Sequence, residues 1–414
     1  MKTLTLTLFC LLLTSFTAQA GPPPAAAIVP GGSVSPQGVF LLDGKPFRGI
    51  GVNYYTAFTR TLADPKDTSY RQGFKVLADH DIHFVRYNAG GYFPTDYKLY
   101  LDNREEWFRR MDGVVKAAEE NHVGLIASLF WFHACIPDLM HEHVDQLGNP
   151  DSKTHAFMRQ YIKEFATRYR NSPALWGYEL GNEPNLLADL PNANEVPPPL
   201  DKAFGWPVKR TQRDELTQPM VERDLIDFAT EVRKYDPQRL VTSGNSIPRP
   251  FAFHNSLYDA WIQDSRNDYL AIILRDNPDP LNSISIHLYY ECDDQYFADQ
   301  KVNLDGVVKT TMADSALVKK PLFIGELGAP RDLGIDKERT FHKRLIEAMV
   351  VNRVPLATFW DFDNGGLANE WNITATGERS YILDWISAAN KQIKKQLKNE
   401  RPGIWRRWFH LGCH

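Results

Sequence analysis

Trp176-Gly177-Tyr178-Glu179-Leu180-Gly181-Asn182-Glu183-Pro184-Asn185 begins as a largely apolar run and ends as a polar turn. With Leu175 ahead of it, the first half has the length of a buried strand, and an Asn-Glu pair sits at its C-terminal end. Leu322-Phe323-Ile324-Gly325-Glu326-Leu327-Gly328 repeats the arrangement, an apolar strand closed by a carboxylate. Working outward from these two, short apolar runs recur along the chain. They predict strands over 47–53, 83–87, 123–130, 175–180, 240–243, 283–288, 321–325 and 355–360. Near-continuous apolar strands are expected where a parallel sheet is covered on both sides. Amphipathic patterns between them predict helices over 69–80, 103–121, 154–169, 217–235, 256–274, 305–317, 337–351 and 381–397. In the second of these Trp107, Met111, Val114, Val115 and Ala118 share one face. Eight strands alternating with eight helices read as a single-domain (β/α)8 barrel. An open doubly wound sheet is the other architecture with this alternation, but no Gly-rich phosphate loop follows the first strand.

In a barrel the strand-to-helix loops form the active face. Two of these are long. Residues 184–217 hold Pro191, the Pro197-Pro198-Pro199 run and Trp206, and residues 247–282 follow the fifth strand. Long loops at this face build a substrate cleft.

The chain divides into 1–20, 21–36, 37–400 and 401–414. Met1-Lys2, the apolar run 4–13 and Ala18-Gln19-Ala20 read as a signal peptide cut after Ala20, which implies a secreted or periplasmic protein. Residues 21–36, rich in Pro, Ala and Gly, read as a linker. Residues 37–400 carry the barrel, and 401–414 form a tail too short for a separate module. No later stretch is apolar enough to cross a membrane. The 47 Lys and Arg against 51 Asp and Glu leave a net charge of −4. That balance gives no basic field for nucleic acid. After signal removal Cys135, Cys292 and Cys413 remain, with no zinc-site spacing. Cys135 and Cys292 both follow strands on the active face, and the sequence leaves open whether they pair. A monomer is expected.

Two glutamates reaching one cleft from different walls suit cleavage of a glycosidic bond, where one carboxyl protonates the leaving oxygen and the other attacks or activates water. Here the sequence resembles glycoside hydrolase family 5. Gly181-Asn182-Glu183-Pro184 matches the family's Asn-Glu-Pro signature, which makes Glu183 the general acid/base, and Gly325-Glu326 matches its nucleophile strand. The resemblance runs from about Pro46 to Trp385. Further positions follow the pattern. His287 and Tyr289 lie two apart and so on one face of a strand; they match the family's His-x-Tyr element, with the Tyr hydroxyl on the nucleophile and the His near the acid/base. Arg86 ends the second strand, and a buried Arg needs an anionic partner; the family has one beside the nucleophile. Trp360 matches the family's sugar platform, Asn182 the amide that reaches the sugar 2-hydroxyl, and His133 its subsite histidine. His141 and His143 compete for that last role. Asn53 and Tyr54, ending the first strand, are candidate contacts to sugar hydroxyls. Trp131, Trp206, Trp261 and Trp371 are candidate platforms further along the cleft.

His141-Glu142-His143 with Asp145 lacks the helix spacing of a metalloprotease site, so no metal or other cofactor is expected. The resemblance implies a retaining enzyme acting on O-glycosyl bonds by double displacement, with the Glu183 carboxyl raised by its negative neighbour. Its partner is an oligo- or polysaccharide. A β-1,4-glucan is the first expectation, with β-mannan or another β-glycan as the alternative. A transglycosylase and a non-catalytic carbohydrate-binding barrel are the readings from other classes.

Overall fold

The computed structural model describes residues 29–190, 200–289, 296–367 and 370–400. The expected signal peptide, the tail 401–414, Cys10, Cys292, Cys413 and the first half of the expected linker lie outside them. Among the described residues no helix is long and apolar enough to cross a membrane, and Cys135 is a buried free thiol.

Eight parallel strands form a nearly closed barrel wrapped by helices. They are β1 (Gly49–Asn53), β2 (Phe84–Asn88), β3 (Gly124–Ser128), β4 (Leu175–Glu179), β5 (Leu240–Thr242), β6 (Ile284–Tyr289), β7 (Leu322–Gly328) and β8 (Leu356–Phe359). The hydrogen-bonded order runs β5-β4-β3-β2-β1-β8-β7-β6. The β5–β6 seam is spanned largely by side chains. Asn282 accepts from the Val241 amide at 2.7 Å, Ser283 donates to the Val241 carbonyl at 3.2 Å, and Ser285 to that of Asn245 at 3.1 Å.

Two strands break their alternation. The pairing of β3 with β4 jumps from Leu125–Leu175 to Ile126–Gly177, and that of β6 with β7 from Ile286–Ile324 to His287–Glu326. Each extra residue shifts the side-chain phase by one. Trp176 and Phe323 therefore face the lower barrel interior, in a cluster with Phe40, Phe84, Ile126, Leu240 and Leu356, while Glu179 and Glu326, each three residues on, also turn inward.

Gly32–Val34, within the expected linker, is instead a strand paired with Phe40–Leu42, and Lys45–Pro46 completes a small antiparallel sheet. It plugs the lower mouth. The rings of Phe40 and Phe47 stand 5.8 and 5.1 Å from Trp176. Burying such rings stabilises by roughly 1.5–3 kcal/mol each, which outweighs the entropy of a Gly-rich approach. Gly32 is required there, since a Cβ would meet the Phe40 ring at 2.7 Å and the Trp176 carbonyl at 2.8 Å.

The predicted helix 256–274 is two helices, Ala252–Tyr258 and Arg266–Arg275. Asp259 adopts a left-handed backbone (φ 50) that ends the first, and Ser265 caps the second by accepting from the Asp268 amide. Leu257, Tyr258, Trp261 and Ile262, around the break, are exposed. The remaining predicted helices are present with shifted ends.

Candidate active site

The C-terminal ends of β1, β2, β4 and β7 converge on one guanidinium. Arg86 is fully buried. Its Nε donates to both Glu179 oxygens at 2.8 and 2.9 Å, its Nη1 to Glu326 Oε1 at 2.8 Å and Asn53 at 3.0 Å, and its Nη2 to Asn182 at 2.8 Å. The Trp131 ring covers it, 4.2 Å from centroid to guanidinium carbon. Burial opposes its charge, but Glu179 and Glu326 outweigh that and raise its pKa further. A buried cation so paired fixes the orientation of every group it touches.

Glu326 is buried, with Oε1 on Arg86 and Oε2 accepting from the Tyr289 hydroxyl. Burial and the charge of Glu326 hold the Tyr289 phenol well above its usual range, so it stays a donor. Glu183 faces Glu326 across His287. His287 Nδ1 is 2.8 Å from Glu183 Oε1 and 3.6 Å from Glu326 Oε2. One carboxylate oxygen of each glutamate and that nitrogen all lie within 4.8 Å of one another. Such closeness would suit a cation, but here Arg86 supplies the positive charge. Glu183 has a left-handed backbone (φ 51), held by its amide donating to the Gly244 carbonyl at 2.9 Å. Burial pushes the Glu183 carboxyl up, but the hydrogen bond and charge of His287, with Ser246 and Arg86, outweigh it and the net direction is down. This reverses the expected rise, because His287 touches the carboxyl directly.

Of the residues singled out from sequence, Arg86, Asn182, Glu183, His287, Tyr289 and Glu326 come together. Arg86 occupies the Asn182 oxygen, which turns the amide nitrogen away from the guanidinium. Trp360 is half-buried and tilts against Trp131 at 5.8 Å, with Tyr55 at 6.3 Å. Trp371 packs edge-on against Tyr289.

Three candidates are engaged by other groups of the protein. Asn53 is fully buried and donates to the Gly325 and Phe359 carbonyls, so it braces the strands and Arg86 instead of meeting a sugar. Tyr54 is buried on Asp363, and its neighbour Tyr55 stands by the tryptophans. His133 is fully buried against Asp224 of the helix Gln218–Tyr235, at 2.7 Å, a barrel-to-helix contact. Sequence reasoning missed Glu179, whose only signal is a carboxylate inside an apolar strand; burial pushes it up while Arg86 pulls it down. It also missed Asp361, fully buried behind Trp360 and pushed up to about 8 by burial. Asp361 accepts from Asn364 at 2.8 Å and the Tyr55 amide at 3.4 Å.

The β7 bulge needs Gly325. A Cβ there would lie 2.7 Å from His287 Nε2. Gly325→Ala is therefore expected to displace His287 and lower kcat by about 100-fold, the cost of a misplacement near 1 Å. Steady-state kinetics of the folded variant check this, and an unchanged kcat would mean that His287 tolerates displacement.

A (β/α)8 barrel with one glutamate just past β4, another near the end of β7 and an arginine between them defines a class of carbohydrate-cleaving folds. The sequence model of the cellulase family, glycosyl hydrolase family 5, matches residues 43–366, and the chain belongs to that family. The probable mannan endo-1,4-β-mannosidase A of Aspergillus flavus is 27% identical over 190 residues, 41% of this chain and 47% of that protein. The probable mannan endo-1,4-β-mannosidase C of Aspergillus terreus is 28% identical over 243 residues, 52% of this chain and 55% of that protein. The chain thus spans about half the length of these relatives. The crystal structure of the endo-1,4-β-mannanase from Rhizomucor miehei shares the fold, with a TM-score of 0.61 at 15% identity, covering 88% of this chain and 99% of that one.

Proposed function

We propose that the protein hydrolyses a β-1,4-mannan backbone with retention of anomeric configuration. The observation that carries the mechanism is the closeness of Glu183 and Glu326, with oxygens within 4.8 Å. Retention needs carboxyl groups roughly 5–5.5 Å apart, and inversion roughly 6.5–9.5 Å. Support for mannan over glucan, the first expectation from sequence, comes from the mannan endo-1,4-β-mannosidase names of the relatives.

Glu326, steadied by Arg86 and Tyr289, attacks the anomeric carbon. The glycosidic C–O bond breaks, its electron pair leaves on oxygen, and Glu183 protonates that oxygen. Glu183 then takes a proton from water, which attacks the glycosyl ester and frees Glu326. The Asn182 amide nitrogen is available to the sugar 2-hydroxyl, and Trp360 offers its face to the ring.

The test compares mannohexaose with cellohexaose. The expected kcat/KM ratio favours mannohexaose by at least ~100-fold, within what committed hydrogen bonds to one hydroxyl give. A ratio near one, or reversed, would return glucan to first place. Proton NMR of early product is expected to show the β-anomer, and α-anomer first would exclude retention.

A pH prediction follows from His287. The first step needs Glu183 protonated, and His287 favours its ionised form. Removing His287 lets Glu183 keep its proton to higher pH, so His287→Ala is expected to move the alkaline limb of the kcat/KM profile upward. A limb that stays or moves down would show that His287 does not control this carboxyl.

A further inference from the structure

The helix Arg266–Arg275 ends in two buried polar residues, Asp276 and Asn277, 2% and 1% exposed. They lie where the barrel lacks a backbone ladder. Asn277 accepts from the Ser243 hydroxyl at 2.9 Å and the Ser285 amide at 3.0 Å, joining β5 to β6, the strand of His287. Asp276 reaches the other way. One carboxylate oxygen accepts from Gln218 Nε2 at 2.9 Å and the other from Asn185 Nδ2 at 3.2 Å, while its carbonyl accepts from Asn245 Nδ2 at 2.6 Å.

Asn185 is two residues past Glu183. Its side-chain amide holds Ser246 in both directions, donating to the carbonyl at 2.9 Å and accepting from the backbone N–H at 3.1 Å. Its own amide donates to Asn245 Oδ1 at 3.2 Å. Ser246 in turn lies beside the Glu183 carboxyl and favours its ionised form. A chain of bonds therefore runs from Asp276 through Asn185 to Ser246, beside Glu183, whose own amide donates to the neighbouring Gly244 carbonyl. Glu183 needs such a chain, because it stands in a left-handed backbone on a turn, outside any strand. Burying a carboxylate is costly, and one retained wholly for packing would be replaced by an apolar side chain at little loss. Both carboxylate oxygens of Asp276 are instead engaged by side-chain amides, with the Arg275 Nε 3.9 Å away.

We infer that Asp276, acting through Asn185, is a positioning residue for Glu183 in proton transfer to the leaving group. The inference rests on the acid/base reading of Glu183. An asparagine at 276 matches the site less well, since its NH2 would face one of two donors, Gln218 or Asn185, and Asn185 is fixed on both sides by Ser246. Neither Asp276 nor Asn185 touches the sugar in this arrangement.

The test separates leaving groups. Asp276→Asn and Asn185→Ser are assayed by kcat/KM on mannohexaose, whose leaving oxygen needs a proton, and on 2,4-dinitrophenyl β-mannobioside, whose leaving group does not. Cellohexaose and the dinitrophenyl β-cellobioside are run in parallel. Expected is a loss of roughly 10- to 100-fold on the hexaose, the scale of a small misplacement, with less than threefold change on the dinitrophenyl glycoside. Asn185→Ser breaks the same link from its other end and keeps the test open if Asp276→Asn fails to fold. Equal losses on both substrates in the folded variant would overturn the inference and leave Asp276 as fold support. A wild-type enzyme inert on all four substrates would instead overturn the acid/base reading, and the inference with it.

Discussion

Glu326→Ala is expected to lower kcat/KM on mannohexaose by ~10⁴-fold or more, the scale seen when one member of a catalytic unit is removed. The variant should fold, because Arg86 keeps its two bonds to Glu179 and its contacts with Asn53, Asn182 and Trp131. Loss of activity alone would not separate a nucleophile from a residue that merely shapes the cleft. Azide does. Truncating Glu326 opens space on the face of the sugar opposite the leaving group, so azide added with 2,4-dinitrophenyl β-mannobioside should restore turnover and give the α-glycosyl azide. Glu183→Ala leaves Glu326 able to form the glycosyl-enzyme, and azide then attacks from the other face to give the β-glycosyl azide. Opposite products from the two variants would assign both carboxylates. Glu326→Ala activity within tenfold of wild type would remove it from the chemistry, and the same azide anomer from both variants would remove the division of roles.

The chemistry was more legible than the frame that holds it. Apolar runs ending in Asn182-Glu183 and Gly325-Glu326 mark strand ends because strands are short and the catalytic loops are polar. The i, i+2 spacing of His287 and Tyr289 is a local geometric rule, and both do face the glutamates. Glu179 escaped because period-two reading sets it on the opposite face from Trp176, whereas the bulge in β4 turns both inward. The same shift in β7 does not hide Glu326, since its strand-end position already singled it out. Bulges arise from the closure of the whole sheet, and no local residue pattern declares them. The hairpin plug escaped for a related reason: Gly32, Ser33 and Val34 have linker composition, and only the Trp176 and Phe84 rings below make burial worthwhile. Asn53 and Tyr54 show the limit of strand-end arguments. Both end β1, yet a buried arginine and Asp363 claim them, and the cleft position falls to Tyr55.

Arg86→Met is expected to destabilise the fold by about 3–5 kcal/mol, the cost of breaking a buried ion pair from one side. Methionine fits the volume and touches Trp131, so packing is not the main loss. What remains is Glu179, fully buried, and Glu326, nearly so, with no cation between them. Glu179 must then take a proton or unfold its surroundings. Equilibrium urea unfolding of wild type and variant at one pH measures the difference. The double variant Arg86→Met/Glu179→Gln separates the terms. It removes the more deeply buried of the two stranded charges, so part of the stability should return, by a coupling of roughly 0.5–3 kcal/mol, the range for contacting residues. Activity should not return, because Glu326 and Asn182 have lost the donors that orient them. Stability and catalysis thus part company between the single and the double variant: the charge balance of the buried cluster governs the first, and the fork geometry of the guanidinium governs the second. A double variant that recovered both would mean that Arg86 serves only to neutralise Glu179, and that Tyr289 and His287 suffice to hold the glutamates.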